Sequence, residues 1–385
     1  MITTGSSSIE LKFEVLIHNG YLDYTSIQRV NVELEEGKHN IATLEIAGIP
    51  PEYLDTYIDL PVAIKITVGG VRSHTFYGYI VYLEPVSENI QGLVNKSPFQ
   101  TTKVYCFGTS YVMRSRKTEV HNNKTIVQIA KEFAEKYNFT VSVPNDSYVY
   151  PRLVQSGESD WGFLSRIVEM SGYRVLMRGT HIDIWDPFAL FGRVATTPLY
   201  AMSGNNGNMN AASGQVIKFH GVVGAVTPTA AKVPDTIHAL IGGEIATLSM
   251  DVSTGLGTPI KSLFNDEVSE NADSIDMAKA ILKGRSRQKF PYTAHVDVVG
   301  DPSLSPGMLV NIDRYNSALD GIWLIKAVRH EMFRGSSMSY LTLVKDSKFS
   351  NVIDPTETVT PAIELTEPYI RNMEWVTTRE LVNVY

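Results

Sequence analysis

The chain is poor in the residues that build cross-links and metal centres. Its 385 residues include one cysteine, Cys106, so no disulfide can form within the chain and no cysteine-based metal site can assemble. Cys106 sits in the alternating run Lys-Val-Tyr-Cys-Phe and reads as a small buried hydrophobe. The nine histidines are scattered, with no pair at ligand spacing. There is no phosphate loop, no dinucleotide fingerprint and no serine set between glycines as a nucleophile elbow. Gly255-Leu256-Gly257 is an isolated fragment. No run approaches the ~18 apolar residues of a membrane span. Met1 to Ser8 is small and polar and lacks the basic and apolar regions of a signal peptide, so export through a secretory route is not expected. A basic excess is also missing. The formal net charge is −7, which argues against a protein that grips nucleic acid. It is compatible with one past which nucleic acid slides, because a mildly acidic surface repels phosphate.

What is present is globular. Apolar residues make up 43% of the chain and charged residues 19%. The length allows two to four domains at roughly 100–200 residues each, enough to bury a core without staples. Residues 9–115 read as strands. Val62–Val68 is apolar at period two, Ile9–Ile17 alternates in part, Val30–Ile46 holds Val30, Val32 and Leu34 and then Ile41, Leu44 and Ile46, Phe76–Leu83 is aromatic and β-branched around Gly78, and Lys103–Phe107 and Tyr111–Met113 close the block. At Asn122 the period changes. Ile126, Ile129, Ala130, Phe133, Ala134 and Tyr137 fall at helix spacing, with Asn122 and Asn123 as caps. A strand at Phe139–Val143 follows. A second helix is predicted from Asp160 to Met170, capped by Ser159 and stopped by Gly172. Tyr173–Met177 and His181–Trp185 form a hairpin around Arg178-Gly179-Thr180. Residues 202–214 are a Gly-, Asn- and Ser-rich linker. Residues 215–226 return to strand, 227–262 resist assignment, and a helix is expected over 274–288. Strands then follow at Tyr292–Val298, Met308–Ile312, Ile322–Met332 and Met338–Val344.

An internal echo links the two ends. Leu60-Pro61, a strand, a loop and Gly78 before an aromatic strand are matched by Pro306-Gly307, a strand, a loop and Gly321 before another. The fold expected is therefore mainly β with an α+β insert: two related antiparallel β-barrel domains forming a ring, plus a small α+β domain. The boundaries are 1–118 for the first barrel, 119–200 for the insert and 201–349 for the second barrel. Residues 350–385 form an extended arm. Pro355, Pro361 and Pro368 disfavour regular helix there, yet its apolar and aromatic residues need burial against something.

Two segments stand out. One runs from Glu158, Ser159, Asp160 and Trp161 through Phe163, Leu164 and Arg166 to Gly172 and Tyr173. Its aromatics read as core, and its carboxylates as a helix start. The other contains Gly300, Asp301, Pro302, Pro306, Gly307, Asp320, Gly321, Val328 and His330, where turn residues separate short apolar strands as in a tight antiparallel barrel. His330-Glu331 lacks the second histidine of a zinc-protease helix and reads as an exposed or edge histidine. Glu158 and Asp160 are the one tempting carboxylate pair for a cell-wall or polysaccharide hydrolase, which needs paired carboxylates in a cleft. A receptor- or carbohydrate-binding module is a further alternative, since aromatics stack on sugars, although no aromatic cluster is readable in the sequence.

These two segments, with Lys124-Thr125-Ile126 at a helix start, resemble the phage tail hub family. That family includes the late control D proteins of contractile phages and the hub portion of the type VI secretion spike protein VgrG. Its members carry Glu-Ser-Asp-aromatic-x-Phe-Leu-x-Arg before Gly-Tyr, and Gly-Asp-Pro … Pro-Gly … Asp-Gly … Val-x-His in the last barrel. The resemblance covers about residues 10–346, with Gly162 inside the second helix as a departure. It implies a homotrimer that adapts a hexameric tail tube to a trimeric spike, and no enzymatic activity, cofactor or metal. It also implies a location at the virion tail tip or baseplate, with assembly in the host cytoplasm. The partners implied are a tail tube or distal tail protein, a tape measure protein and a spike or tip. The tip is expected to be a separate protein, since the chain leaves no room for a fused one. DNA is expected to pass through the channel without specific binding.

Overall fold

Alternation of inward apolar and outward polar residues builds the first half of the chain. Seven strands follow one another: β1 (Leu11–Ile17), β2 (Gly20–Leu22), β3 (Ile27–Glu35), β4 (Ile41–Ala47), β5 (Pro61–Val68), β6 (Arg72–Glu88) and β7 (Phe99–Gly108). In β5 the residues Val62, Ile64, Ile66 and Val68 are all buried, as their period predicts. The computed structural model describes residues 11–18, 20–22, 26–48, 54–70, 72–88, 99–145, 148–191, 197–201, 215–223, 236–241, 244–249, 266–268, 277, 292–313, 319–333, 336–345 and 374–377. The linker 202–214 and the helix over 274–288 lie outside the described residues, apart from the buried, helical Met277. Among the described residues no helix is long and apolar enough to cross a membrane.

Tyr111–Met113 is not a strand. It lies in a 3-10 helix, Thr109–Arg114, that turns the chain out of the sheet. The insert then begins with β8 (Arg116–Lys124), α1 (Ile126–Lys136), β9 (Thr140–Ser142), β10 (Tyr150–Ser159), α2 (Asp160–Met170), β11 (Arg174–Arg178), β12 (His181–Trp185) and α3 (Pro187–Phe191). The cap of α1 is Thr125 instead of the expected asparagines. Thr125 Oγ1 accepts from Gln128 N at 3.1 Å and Gln128 Oε1 accepts from Thr125 N at 2.8 Å. This reciprocal box satisfies two backbone donors at once, while Asn122 is used in the β8–β10 ladder. α2 has the predicted limits, with Ser159 Oγ accepting from Gly162 N.

The second half comprises β13 (Thr197–Ala201), β14 (Gln215–Val223), β15 (Thr236–Ile241), β16 (Glu244–Ser249), β17 (Asp266–Val268), β18 (Tyr292–Val299), β19 (Leu309–Asp313), β20 (Gly321–Phe333) and β21 (Ser336–Lys345). β22 (Glu374–Thr377) follows, and it pairs antiparallel with β16 of the same chain. The rest of the expected arm 350–385 lies outside the described residues.

The protein is mainly antiparallel β with a small helical part. Its two β halves join into one sheet of thirteen strands. The order is β19-β13-β14-β18-β21-β20-β3-β4-β7-β6-β5-β1-β2, and β19 also pairs with β20. The cause is the length of β20. One of its edges serves β19 through Gly321–Leu324 and then β3 through Ala327–Phe333. Side chains from both halves share one apolar core, including Val32, Leu44 and Ile64 with Val296, Trp323 and Leu343. The insert has its own core around Phe133, Trp161, Phe163, Leu164 and Ile167.

Candidate functional site

The two singled-out segments lie on either side of the β11–β12 hairpin, where the insert meets the sheet. In the first, each polar residue is held within the insert. Arg166 donates to Glu158 through Nε at 3.2 Å to both oxygens and through Nη2 at 2.5 Å, and also to Val154 O at 2.8 Å. Asp160 is fully buried. It accepts from Lys136 Nζ at 2.5 Å, Tyr137 Oη at 2.7 Å and Gln155 Nε2 at 2.9 Å, with Lys117 Nζ at 3.5 Å. Burial alone would raise its pKa, but these hydrogen bonds and the Lys117 charge hold it below the usual carboxylate value. Burial and the bond to Asp160 push the Tyr137 hydroxyl upward. Asp160 is thus kept ionised and sealed from water, which suits a cross-link and not a proton donor. Trp161, Phe163 and Leu164 are at most 2% exposed and fill the insert core, as their spacing predicts. Gly172 ends the helix in the left-handed region, and Tyr173 leads into β11.

β11 carries the connection onward. At its start Arg174 Nε lies 3.1 Å from Glu36 Oε2, in the β3–β4 turn, with both side chains under a tenth exposed. Gly37 N donates to Val175 O at 2.7 Å and Asn40 Nδ2 donates to Met177 O at 2.7 Å. Thr109 Oγ1 donates to Gly179 O. At the end of β11, Arg178 forks. Its Nε donates to Asp183 at 2.8 Å, Nη1 to Ser305 Oγ at 2.6 Å and Nη2 to Pro306 O at 2.5 Å. Gly307 has φ 83°, and a Cβ there would come within 3.1 Å of the Trp185 ring and 3.3 Å of Arg178. The second segment therefore receives the tip of the hairpin.

The same segment is tied to both β halves. Asp301, 2% exposed, lies 3.2 Å from Arg72 Nη1 and accepts from Ser303 N at 3.1 Å. Pro302 and Pro306 are buried. His330 is fully buried, which overturns the expectation of an exposed or edge histidine. Its Nε2 meets Leu304 O at 3.0 Å and its Nδ1 meets Ser339 Oγ at 2.9 Å. A carbonyl only accepts, so Nε2 carries the proton and the Ser339 hydroxyl donates to Nδ1. Ser339 Oγ in turn accepts from Asp301 N at 3.1 Å. Burial, reinforced by the neighbouring His74, pushes the His330 pKa down to about 3. Asp320 O accepts from the buried Lys345 at 2.6 Å, Gly321 opens β20, and Val328 packs into the core.

The junction thus joins Asp301, Pro306, Gly307 and His330 around the hairpin tip, with the helix segment one strand away. Glu36, Asn40, Arg72, Arg174, Arg178 and Ser339 complete it and were not singled out from the sequence. Every group described here is engaged in holding chain to chain. The alternative that made Glu158 and Asp160 a catalytic pair loses its chemistry, since one is clamped by Arg166 and the other is buried and ionised.

No family model matches the chain, and no curated protein matches it. Solved structures do. A tail protein from Neisseria meningitidis MC58 superposes with TM-score 0.62 at 11% identity, covering 88% of this chain and 98% of that one. A 43 kDa tail protein of prophage MuSo2 from Shewanella oneidensis gives TM-score 0.59 at 14% identity, covering 88% and 100%. An E. coli protein gives TM-score 0.54 at 11% identity, covering 90% and 80%; it is described as a component of the type VI secretion system with similarity to T4 bacteriophage tail proteins gp27 and gp5. The fold of this chain is thus one shared by phage tail proteins and a type VI secretion component.

Proposed function

We propose that the chain is a structural subunit at the tip of a phage-type tail, and that three copies close into a ring around a channel. The observation that carries this reading is the central sheet. From β14 through β18, β21, β20, β3, β4 and β7 to β6, every neighbouring pair is antiparallel. Each end of this eight-strand run has a stretch with no further partner strand among the described residues. Residues 220–223 of β14 pair with β18 on one side and with no described strand on the other. Among the described residues, residues 82–88 of β6 likewise pair with β7 alone. Unpaired edges are templates for another chain. With eight alternating strands, β14 and β6 point in opposite directions. Rotation about an axis along the strands preserves direction, so β6 of one copy meets β14 of the next antiparallel. Such a head-to-tail contact makes a ring when the rotation between copies closes. Each chain supplies two four-stranded halves, so three chains supply six, which suits a joint between a sixfold tube and a threefold spike.

In this reading residues 1–118 and 201–349 are the ring-forming β domains and 119–200 the insert. The motif residues from Glu158 to Tyr173 and from Gly300 to His330 are structural. Residues 350–385 are an arm that braces its own chain through β22 and reaches a neighbour beyond it. The protein is not an enzyme. Its partners are two sister subunits, a tail tube or distal tail protein, a tape measure protein and a separate spike, in a virion assembled in the host cytoplasm. Light scattering on the purified chain tests the reading and is expected to give the mass of three chains. Amides of residues 82–88 and 220–223 should exchange slowly in that particle. A monomer at micromolar concentration, or fast exchange at both edges within the trimer, overturns it.

A further inference from the structure

A seam runs between the β3–β4 turn and the insert. Trp161, Ser165 and Glu169 recur every fourth residue of α2 and form one stripe on the helix. The turn lies along that stripe. The His39 and Trp161 rings stand 6.0 Å apart. A Cβ on Gly37 would come 4.0 Å from Ser165 Cβ, and the Glu36 carboxyl feels the charge of Glu169. The same turn follows the edge of β11, where Glu36, Gly37 and Asn40 meet Arg174, Val175 and Met177.

Four buried side-chain atoms along this seam have no hydrogen-bond partner among the described residues: Glu36 Oε1, Asn40 Oδ1, Trp161 Nε1 and Ser165 Oγ. Buried polar atoms left in this way are costly, and water satisfies them where it can reach. Charge is crowded at the same place. Arg174 on β11 and Lys326 on β20 face the Glu36 carboxyl as cations, and Glu35 on β3 and Glu169 on α2 face it as anions. On the turn itself Lys38 is paired with Glu35 at 2.8 Å, and His39 Nδ1 is bonded to Ser110 Oγ at 2.7 Å. Arg174 meets one oxygen of Glu36, and the other is the unpartnered Oε1.

We propose that this seam is a proton-operated latch on the insert: a neutral Glu36 keeps the turn closed on α2 and β11, and loss of its proton makes the seam open more often and admit water. The latch belongs to the single chain and holds whether or not three chains form a ring. In the closed seam burial outweighs the two cations and raises the Glu36 pKa to about 7. In an opened seam the carboxyl meets water and returns toward its ordinary value of 4.5. The closed form thus binds the proton more tightly. Closing is fully favoured below 4.5, and that preference is lost as pH rises through 7. Water that reaches the ionised carboxyl also reaches the other three atoms, so one opening satisfies all four.

The Gly37 N–H reports the seam, because its hydrogen bond to Val175 O crosses it at 2.7 Å. Amide hydrogen exchange on the full chain, corrected for the intrinsic rate at each pH, gives its opening constant. In the wild type that constant is expected to rise roughly 40-fold from pH 5 to pH 7, as release of one proton between these two pKa values requires, and to level off above pH 8. Glu36→Gln cannot titrate and should keep the constant flat over the same range. Glu169→Gln removes a like charge and should move the levelling-off to lower pH. The Gly300 N–H, bonded to Ser337 O at 2.9 Å on another turn, should show no such rise. A flat wild-type profile at Gly37, an equal rise in Glu36→Gln, or a rise of the same size at Gly300 overturns the proposal. The wild-type profile alone decides the first of these, whatever the variants do to folding.

Discussion

Acidification should strike the junction through His330. The fully buried ring is neutral, with Nε2–H bonded to Leu304 O and Nδ1 accepting from Ser339. A second proton on Nδ1 would face a hydroxyl that has to reverse, and the charge would sit in a dry core near His74, 6.1 Å away ring to ring. The folded pKa is accordingly depressed to about 3, whereas an unfolded histidine titrates near 6.5. The unfolded chain therefore binds a proton that the folded chain refuses. The stability contributed is fully present above pH 6.5 and is lost as pH falls toward 3. Each unit of pH across that window is worth about 1.4 kcal/mol, so from pH 7 to pH 4.5 this one group should remove about 3 kcal/mol. His330→Gln retains an amide donor that can reach the carbonyl and cannot titrate. Urea midpoints for both proteins at pH 7 and pH 4.5 give the comparison. The variant is expected to be less stable at pH 7 and to lose about 3 kcal/mol less on acidification. Equal losses would show that His330 does not carry the acid sensitivity, and the argument from its burial would be wrong.

Gly300→Ala should lower the thermal midpoint, because an added Cβ would lie 2.4 Å from Ser337 Cβ and 2.8 Å from its carbonyl carbon. Overpacking of this kind costs about 1–3 kcal/mol, and an unchanged midpoint would mean the turn moves freely. Phe163→Ala empties a fully buried site in the insert core and should cost about 3–5 kcal/mol by denaturant titration; a loss under about 1 kcal/mol would place the ring outside the core. Glu36 behaves oppositely to His330: burial raises its pKa to about 7 despite Arg174, so its contribution is present below the unfolded value near 4.5 and is lost as pH rises through 7. Glu36→Gln should therefore lose less stability than the wild type between pH 5 and pH 8 in the same assay, and parallel curves would refute it.

Local order was legible because it is encoded locally. β5 follows from four apolar residues at period two, and α2 from a serine cap, an acidic first turn and a glycine stop within fifteen residues of sequence. The burial of His330 was also written there. It shares its face of β20 with Val328 and Met332, both buried, while Arg329 and Glu331 take the other. Reading the His-Glu pair by itself, and not the alternation around it, led to the exposed assignment. The joining of the two β halves had no local sign. It depends on Glu33 finding Arg329 across nearly the whole chain, and nothing in either strand's own sequence names its partner. The echo between the halves pointed to two like units, and like units fit separate barrels as readily as one sheet.

The residues that complete the junction were missed for a related reason. Arg178 occupies a hairpin tip, where an arginine usually does nothing more than face water. Its meaning comes from Ser305 and Pro306, more than 120 positions later. Glu36 lies in a charged turn and becomes special only when Arg174 buries it. Both are polar groups used where an apolar contact could also have filled the space. Apolar surfaces attract without direction and tolerate sliding, whereas a forked guanidinium fixes both distance and plane. The hairpin is gripped at Glu36 and Gly37 near its start, at Asn40 in its middle and at Arg178 near its tip, directed contacts at three places along it. An insert held in that way must move with the sheet. If the sheet is one segment of a closed ring, any force that the insert meets from outside reaches the ring through hydrogen bonds aligned along β11, and the motif residues of the turn between β18 and β19 are where that force arrives.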